Sequence, residues 1–367
     1  MITIQECRPE DFPAQDNLFQ TSFWGRLKTA CGQQAVFFLC EWSSYRFPLL
    51  VLLRRLSKNA LYAYVPRGPS LHICEADYGL FLEKLSLALQ PLLPSDCICV
   101  RYDLPWRSPF SHGSAYTVPP RREIREMRMN YGTEHSLLRK ASMDYLCPDT
   151  VLINLELPPE KLLMKMRQTT RNSIRKSYKL DVDFLIRDAS FLPQWHALYA
   201  DTAERKGFFS EKMDYFEKLF YQQKKTLHDD SGKGPPLTAP VPDPEFYLLT
   251  AEKKDAMLSG MILGICGKTA YYMFAGSSLE HRDLMPNYGL QWEAMLFSRS
   301  KGCTRYDLMG IPPNNDLDHP MSGLYIFKTG LGGDPVRYCG TWDFPYDKSA
   351  YEWLRNQDFL SDYHTMT

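Results

Sequence analysis

Lys328 is the residue of this chain best placed by its neighbours for chemistry. It is the only cation between Ser322 and Gly333, it follows Phe327, and glycines on both sides let a substrate approach closely. An ammonium in such a setting suits the stabilisation of an oxyanion. Taken alone, a surface lysine is the plainer reading. A second grouping runs from Lys161 to Lys179, with seven basic residues and no acidic one. The whole chain has 43 Lys+Arg against 43 Asp+Glu, so this is a strong local asymmetry. Guanidinium groups bind phosphate oxygens bidentately, which makes the run a candidate anion site; a solvated helix face is the alternative. Trp24 and Lys28 are four residues apart and share one face of a helix.

The elements that must hold Lys328 are legible around it. An aromatic strand over residues 270–274 leads into Gly276-Ser277-Ser278, where a turn is expected. A helix follows, with Tyr288, Trp292, Met295 and Leu296 on one face and Gly302 as its stop. A short strand, Tyr306-Asp307-Leu308, then ends in a Gly/Pro/Asn loop. The first half shows the same order. A helix over 17–28 carries Phe19, Phe23 and Leu27 on one face. Strands are predicted over 35–42, 47–54 and 60–65, a turn over 66–70, a helix over 76–93 and a strand over 97–103. The tetrapeptide Arg-Tyr-Asp-Leu occurs at 101 and again at 305, each time after meander, turn and helix. This order argues for a duplicated α/β (α+β) unit with mixed, mainly antiparallel sheets flanked by helices.

Between the halves, Arg121, Arg122, Arg125 and Arg128 interleave with Glu123 and Glu126, as on a solvated face. Leu157-Pro158-Pro159 opens a helix whose apolar stripe is Leu162, Leu163, Met166, Thr170 and Ile174. Helices are expected over 191–209 and 214–223, a flexible Pro/Gly-rich loop over 229–244, a strand over 336–342 and a last helix around Tyr351 to Leu354.

Composition sets the outer bounds. A length of 367 residues suggests two domains. Hydrophobic content of 44% and charged content of 23% are those of an ordinary soluble protein. No apolar run reaches the roughly 18 residues of a membrane span, and the first residues lack the pattern of a signal peptide. Ten scattered cysteines read as reduced thiols of a cytoplasmic protein. The eight histidines show no metal-ligand spacing, so no metal is expected.

Four separate pieces, in order, resemble the FemABX family of peptidoglycan interpeptide-bridge aminoacyltransferases. They are Tyr272-Met273-Phe274-Ala275-Gly276-Ser277-Ser278, Gln291-Trp292, Gly302 with Tyr306 to Ile311, and Gly323 to Lys328. The run Thr169 to Lys176 and the pattern Gln20, Ser22, Trp24, Lys28 are similar to the family as well. No heptad pattern marks a helical arm, so the chain is similar to the armless FemX type. The resemblance implies two tandem N-acyltransferase (GNAT)-like domains sharing a cleft, 1–152 plus 335–367 and 153–334. It implies transfer of an amino acid from aminoacyl-tRNA onto the stem peptide of a UDP-linked or lipid-linked muropeptide precursor, by a monomer that meets the membrane surface through a lipid-linked substrate. Aminoacyl-tRNA is the co-substrate and no other cofactor is implied. By the same match Lys328 is the residue of transfer and Phe327 lines the donor or peptide channel. Trp24, Lys28, Thr169 and Arg171 meet the precursor, with Lys28 and Arg171 converging on its diphosphate. Tyr272 touches the precursor, and Phe274 is the alternative on the same strand face. Asp103 matches a family Asp, a candidate base or amine-orienting group, although Leu104 intervenes before Pro105 where the family has proline; a turn-capping role fits equally.

Two other classes share features of this chain. An acyl-CoA-dependent N-acyltransferase would share the fold, and a non-catalytic RNA-binding or wall-associated module would keep the basic helix without needing Lys328. Acyl-CoA enzymes of this fold grip pyrophosphate with a glycine-rich loop at a helix start. Here the corresponding loop, Arg282 to Gly289, has Met285 and Asn287 where small residues belong, and Pro286 lacks an N–H.

Overall fold

Branched and aromatic residues at alternating positions build two meanders, each closed by a helix. The computed structural model describes residues 2–110, 119–229, 242–313, 318–319 and 321–360. The chain divides into two units, Met1–Pro148 with Arg337–Thr367, and Asp149–Val336.

The first unit begins with β1 (Ile2–Cys7) and α1 (Ser22–Ala30), whose start is capped by the Thr21 hydroxyl accepting from Trp24 N–H. The meander is β2 (Gln34–Trp42), β3 (Tyr45–Ser57) and β4 (Ala60–Val65). Then come α2 (Tyr78–Leu89), β5 (Cys97–Arg107), α3 (Arg122–Met129) and the two-residue β6 (Arg139–Lys140). β2 and β3 are antiparallel to their predecessors, β4 is antiparallel to β3, and β5 runs parallel to β4. The α2 side chains Phe81, Leu82, Leu85 and Leu89 are buried against Val51, Leu53, Ala63, Val100 and Tyr102. Each such burial is worth about 1.5–3 kcal/mol. α1 lies on the other face, where Gly25 lets Phe37 and Leu50 come close.

The second unit contains β7 (Asp149–Asn154), α4 (Pro159–Lys165), α5 (Gln168–Lys179), β8 (Asp183–Arg187), α6 (Leu192–Lys206) and α7 (Met213–Asp229). Its meander is β9 (Glu245–Lys253), β10 (Ala256–Cys266) and β11 (Thr269–Ser277), followed by α8 (Pro286–Ser300), β12 (Arg305–Gly310) and α9 (Ser322–Gly330). β12 runs parallel to β11, as β5 does to β4, so the repeated plan is present at the level of strand direction. The sheet order is β7-β12-β11-β10-β9-β8. α8 covers one face with Leu290, Ala294 and Met295, and α6 covers the other.

The chain then returns through β13 (Asp334–Pro345), antiparallel to β5, and α10 (Lys348–Leu360). The first unit's sheet thus reads β1-β2-β3-β4-β5-β13.

Several elements differ from the sequence reading for identifiable reasons. The units divide at 148/149 and 336/337, where 152/153 and 334/335 were expected; residues 149–152 lie in β7, which pairs with β12. β1, β6, β7, β8 and α9 were not foreseen. The helix opened at Pro159 is two helices, because Met166 and Arg167 are extended at ψ 151° and 148°. Its stripe survives the break, since Leu162, Met166, Thr170 and Ile174 are all buried. β5 continues through Pro105, which sits at a register irregularity against β13, where a missing N–H costs no ladder bond. β11 runs on through Gly276, which stays in the strand because a Cβ there would lie 2.6 Å from the Tyr199 backbone nitrogen. Most of the loop expected over 229–244 falls on residues 230–241, outside the described residues.

Candidate active site

In the second unit the site is built around the end of β12. The register between β12 and β7 shifts after Asp307, and Met309 takes a left-handed φ of 56°. The Asp307 carboxylate holds that irregularity: Oδ1 accepts from Met309 N–H at 2.8 Å and from the Thr150 hydroxyl. Two carbonyls at the irregularity, Met309 O and Gly310 O, accept from the Lys328 ammonium at 3.3 and 2.8 Å. Lys328 lies in the last turn of α9, where a cation also meets the negative end of the helix dipole. It is 5% exposed, and its Nζ stands 5.3 Å from the centre of the Tyr272 ring. Burial among neutral carbonyls and an aromatic face strengthens any interaction of this charge with a developing oxyanion.

Tyr272 is held from beneath. Burial pushes its phenol up to about 12, with a hydrogen bond to Gln291 acting the other way. Gln291 is itself buried and accepts from the Tyr306 hydroxyl at 2.9 Å. Phe327 packs edge-on to Tyr288 of α8, with ring centres 5.1 Å apart. The amino end of α5 is tied to α9 by Arg167, whose N–H donates to Gly330 O at 3.0 Å and whose Nη2 donates to Thr329 Oγ1 at 3.1 Å.

Phe274 does not join this group. Leu263 pairs with Tyr272 and Ile262 with Phe274, so Met273 is an extra residue on β11. Such a bulge places Tyr272 and Phe274 on opposite faces, against the expectation from simple alternation. Phe274 packs instead against Tyr199, Tyr215 and Phe216, with ring centres 6.1, 5.9 and 5.1 Å away. Thr169 is exposed on α5. The Arg171 guanidinium grips the end of α4, donating from Nη1 to the carbonyls of Met166, Met164 and Leu163 at 2.5, 3.2 and 3.4 Å. In this structure it satisfies carbonyls that the helix end would leave open.

In the first unit, Lys28 is 4% exposed and its Nζ lies 4.8 Å from the centre of the Trp24 ring. Lys28 is therefore withdrawn from solvent rather than lying on a hydrated helix face. Phe19 fixes Trp24 edge-on at 5.0 Å. Gln20 is a brace: its amide donates to Pro66 O at 2.7 Å and accepts from Leu50 N–H at 2.9 Å. Asp103 is fully buried, with Oδ2 accepting from the Tyr64 hydroxyl at 3.4 Å and Oδ1 without a hydrogen-bond partner among the described residues. Burial pushes its carboxyl up to about 7, against the pull of Arg67 and Lys140.

The sequence of this chain matches the FemAB family over residues 10–228 and 247–356. It belongs to the FemAB family. Among FemAB-type relatives, the lipid II:glycine glycyltransferase of Staphylococcus saprophyticus is 24% identical over 260 residues, 59% of this chain and 63% of that protein. The corresponding enzyme of Staphylococcus haemolyticus is 25% identical over 263 residues, 58% of this chain and 62% of that protein. The matches thus span about three fifths of those relatives. The solved structure of FemX superimposes with a TM-score of 0.72 at 16% identity, covering 96% of this chain and all of FemX. The C-terminal domain of a putative lysylphosphatidylglycerol synthetase from Agrobacterium fabrum follows at a TM-score of 0.51 and 12% identity, over 96% of this chain and 95% of that one.

Sequence reasoning missed the parts of this FemAB-family site that hold Lys328 rather than replace it. Asp307, Thr150 and the Met309 and Gly310 carbonyls left one trace, the second Arg-Tyr-Asp-Leu. Gln291 was quoted for the resemblance without a role, and its helix position under Tyr306 supplies one.

Proposed function

We propose that this protein is an aminoacyltransferase that moves an amino acid from aminoacyl-tRNA onto an amino group in the stem peptide of a lipid-linked peptidoglycan precursor, at the cytoplasmic membrane surface. The observation that carries the reading is the buried Lys328 ammonium, aimed by two carbonyls and the Tyr272 ring in a chain of the FemAB family. The neutral amine attacks the ester carbonyl, a C–N bond forms, and the negative charge on the carbonyl oxygen is stabilised by Lys328. The C–O ester bond then breaks. The ribose oxygen leaves with a proton and the amine loses one, so the step balances without a further cofactor. The relatives named for lipid II favour a lipid-linked over a nucleotide-linked acceptor. Phe327 and Tyr272 are assigned to the walls of this site. Lys28 and Trp24 in the first unit, and Thr169 in the second, are assigned to precursor contacts.

The runner-up, an acyl-CoA donor, is disfavoured by the start of α8. That helix opens with Pro286, which has no N–H to offer, after Met285 in a left-handed conformation. Gly289 is required there by packing: a Cβ would meet Phe184 at 2.1 Å and Ser177 Oγ at 2.5 Å. Its presence therefore calls for no phosphate loop. A transfer assay with ribonuclease added before the donor meets the enzyme tests the reading. Activity is expected to vanish with ribonuclease and to be absent with an acyl-CoA alone. Activity that survives the nuclease, or that acyl-CoA supports, overturns the tRNA donor.

A further inference from the structure

We propose that the exposed face of α4 and α5 is a docking surface for the phosphodiester backbone of RNA, namely the RNA of the aminoacyl donor; this rests on the donor assignment made above. Lys161 and Lys165 on α4, and Arg175, Lys176 and Lys179 on α5, are all exposed. None forms an ion pair with a carboxylate among the described residues. The stripe is bounded by Glu160 before it and Asp181 after it, with no acidic residue between.

Three observations select a polymer over a small anion. First, the cations stand on two separate helices, Lys161 and Lys165 on α4 and Arg175, Lys176 and Lys179 at the far end of α5, about 10 Å along its axis from the break between the helices. They cannot converge on one diphosphate, whereas phosphates repeated along a strand meet them in turn. Second, Arg167 and Arg171, the two cations closest to the junction of α4 and α5, are occupied with Thr329 and with the α4 carbonyls. The outward positions beside them include the neutral hydrogen-bonding residues Gln168 and Asn172. Such residues suit phosphate and ribose contacts. Third, the α5 part of the stripe lies on the helix whose amino end Arg167 bonds to Gly330 and Thr329, next in sequence to Lys328. An RNA followed along α5 toward its amino end therefore arrives beside the lysine that its ester must reach.

An anionic bilayer is the rival polyanion. It would call for apolar side chains to insert among the cations. Met164, at 77% exposure between Lys161 and Lys165, is the one aliphatic candidate on this face; the outward face of α5 otherwise offers only Tyr178. The polar composition of α5 therefore favours RNA.

The test uses the full chain and a labelled RNA hairpin with an unpaired 3′ tail, with binding followed by fluorescence anisotropy across a salt series. The triple variant Arg175→Glu/Lys176→Glu/Lys179→Glu is expected to raise Kd tenfold or more and to lower the log–log salt slope by about 2, as loss of several phosphate contacts requires. A triple Gln variant, which adds no new charge, is expected to follow it in the same direction. Thermal melting confirms that the proteins compared are folded. Wild-type affinity and slope in a folded triple variant overturn the docking surface while leaving the RNA donor intact. A wild type that binds no RNA overturns the donor and this surface together. Vesicles of phosphatidylcholine with phosphatidylglycerol form the last arm: loss of vesicle binding with RNA binding retained assigns the stripe to a bilayer and overturns the inference.

Discussion

The same tetrapeptide serves opposite ends in the two units. In β5, Arg101 is fully buried and donates from Nε and Nη2 to both Asp343 carboxylate oxygens at 2.7 and 2.8 Å. The Tyr351 hydroxyl joins at 3.0 Å, so the first copy fastens β13 and α10 to the sheet. In β12, Arg305 is exposed, and the second copy instead directs its Asp307 to the irregularity that supports Lys328. The tyrosines stay alike: Tyr102 and Tyr306 are both buried on the helix side, bonded to Ser86 and Gln291. Duplication thus kept the residue that packs the helix and released the two polar positions on the other face, one unit using them for architecture and the other for a site.

The comparison is broken most directly at the arginines. Arg101→Met leaves Asp343 buried and uncompensated, so about 3–5 kcal/mol of stability should be lost. Arg305→Met should stay within about 0.5 kcal/mol, as exposed positions do. Chemical denaturation of both variants decides it; similar losses would show that the two copies do the same work.

The next largest effect is expected at Lys328. Lys328→Met should lower kcat by about two to three orders of magnitude, the size seen on losing an oxyanion donor. Acceptor KM should barely move. Full activity in a folded Lys328→Met protein would remove the lysine from the mechanism and leave the second copy of the tetrapeptide as structural as the first.

Asp307 sharpens the point, because it touches no substrate in this reading and acts by holding Met309. Asp307→Ala leaves Met309 N–H and the Thr150 hydroxyl without their acceptor, at about 1–3 kcal/mol of stability. It should also lower kcat with little change in KM, since the carbonyls that aim Lys328 lose their support. A purely structural Asp307 would shift the melting temperature and leave kcat alone.

How much of this was legible follows the same division. Meander, helix and following strand could be read twice over because apolar periodicity records which side of an element is buried. Lys328 and Phe327 could be singled out because the motif around them is local. What could not be read depends on single-residue register. One extra residue at Met273 turns Phe274 away from Tyr272, and no propensity distinguishes a bulged strand from a regular one. Arg171 sat in a phosphate-binding pattern, yet the break at Met166 and Arg167 exposes α4 carbonyls that its guanidinium meets. α9 was unreadable because its nine residues hold two glycines, Gly323 and Gly330, which suggested a turn.

The smallest expected effect is a pH dependence confined to the first copy. Burial lifts the Asp103 carboxyl from its ordinary value of 3.8 to about 7. A carboxyl raised by folding is favoured in its protonated form, so its contribution to stability is present in acid and is lost as pH rises through 7. Between pH 6 and 8 this group alone should cost the wild type about 1.4 kcal/mol, because at pH 6 the native carboxyl is mostly protonated while the unfolded one is ionised, and by pH 8 both are ionised. Asp103→Asn cannot titrate, so urea unfolding at the two pH values should show that increment missing. Arg67 lowers the Asp103 value by its charge and Tyr64 lowers it by its hydrogen bond. Arg67→Met and Tyr64→Phe should therefore both move the midpoint of the loss to higher pH, the arginine variant further. Equal pH dependence in wild type and Asp103→Asn would mean that Asp103 is solvated in solution, and the contrast between a sealed first copy and a working second one would fail at this position.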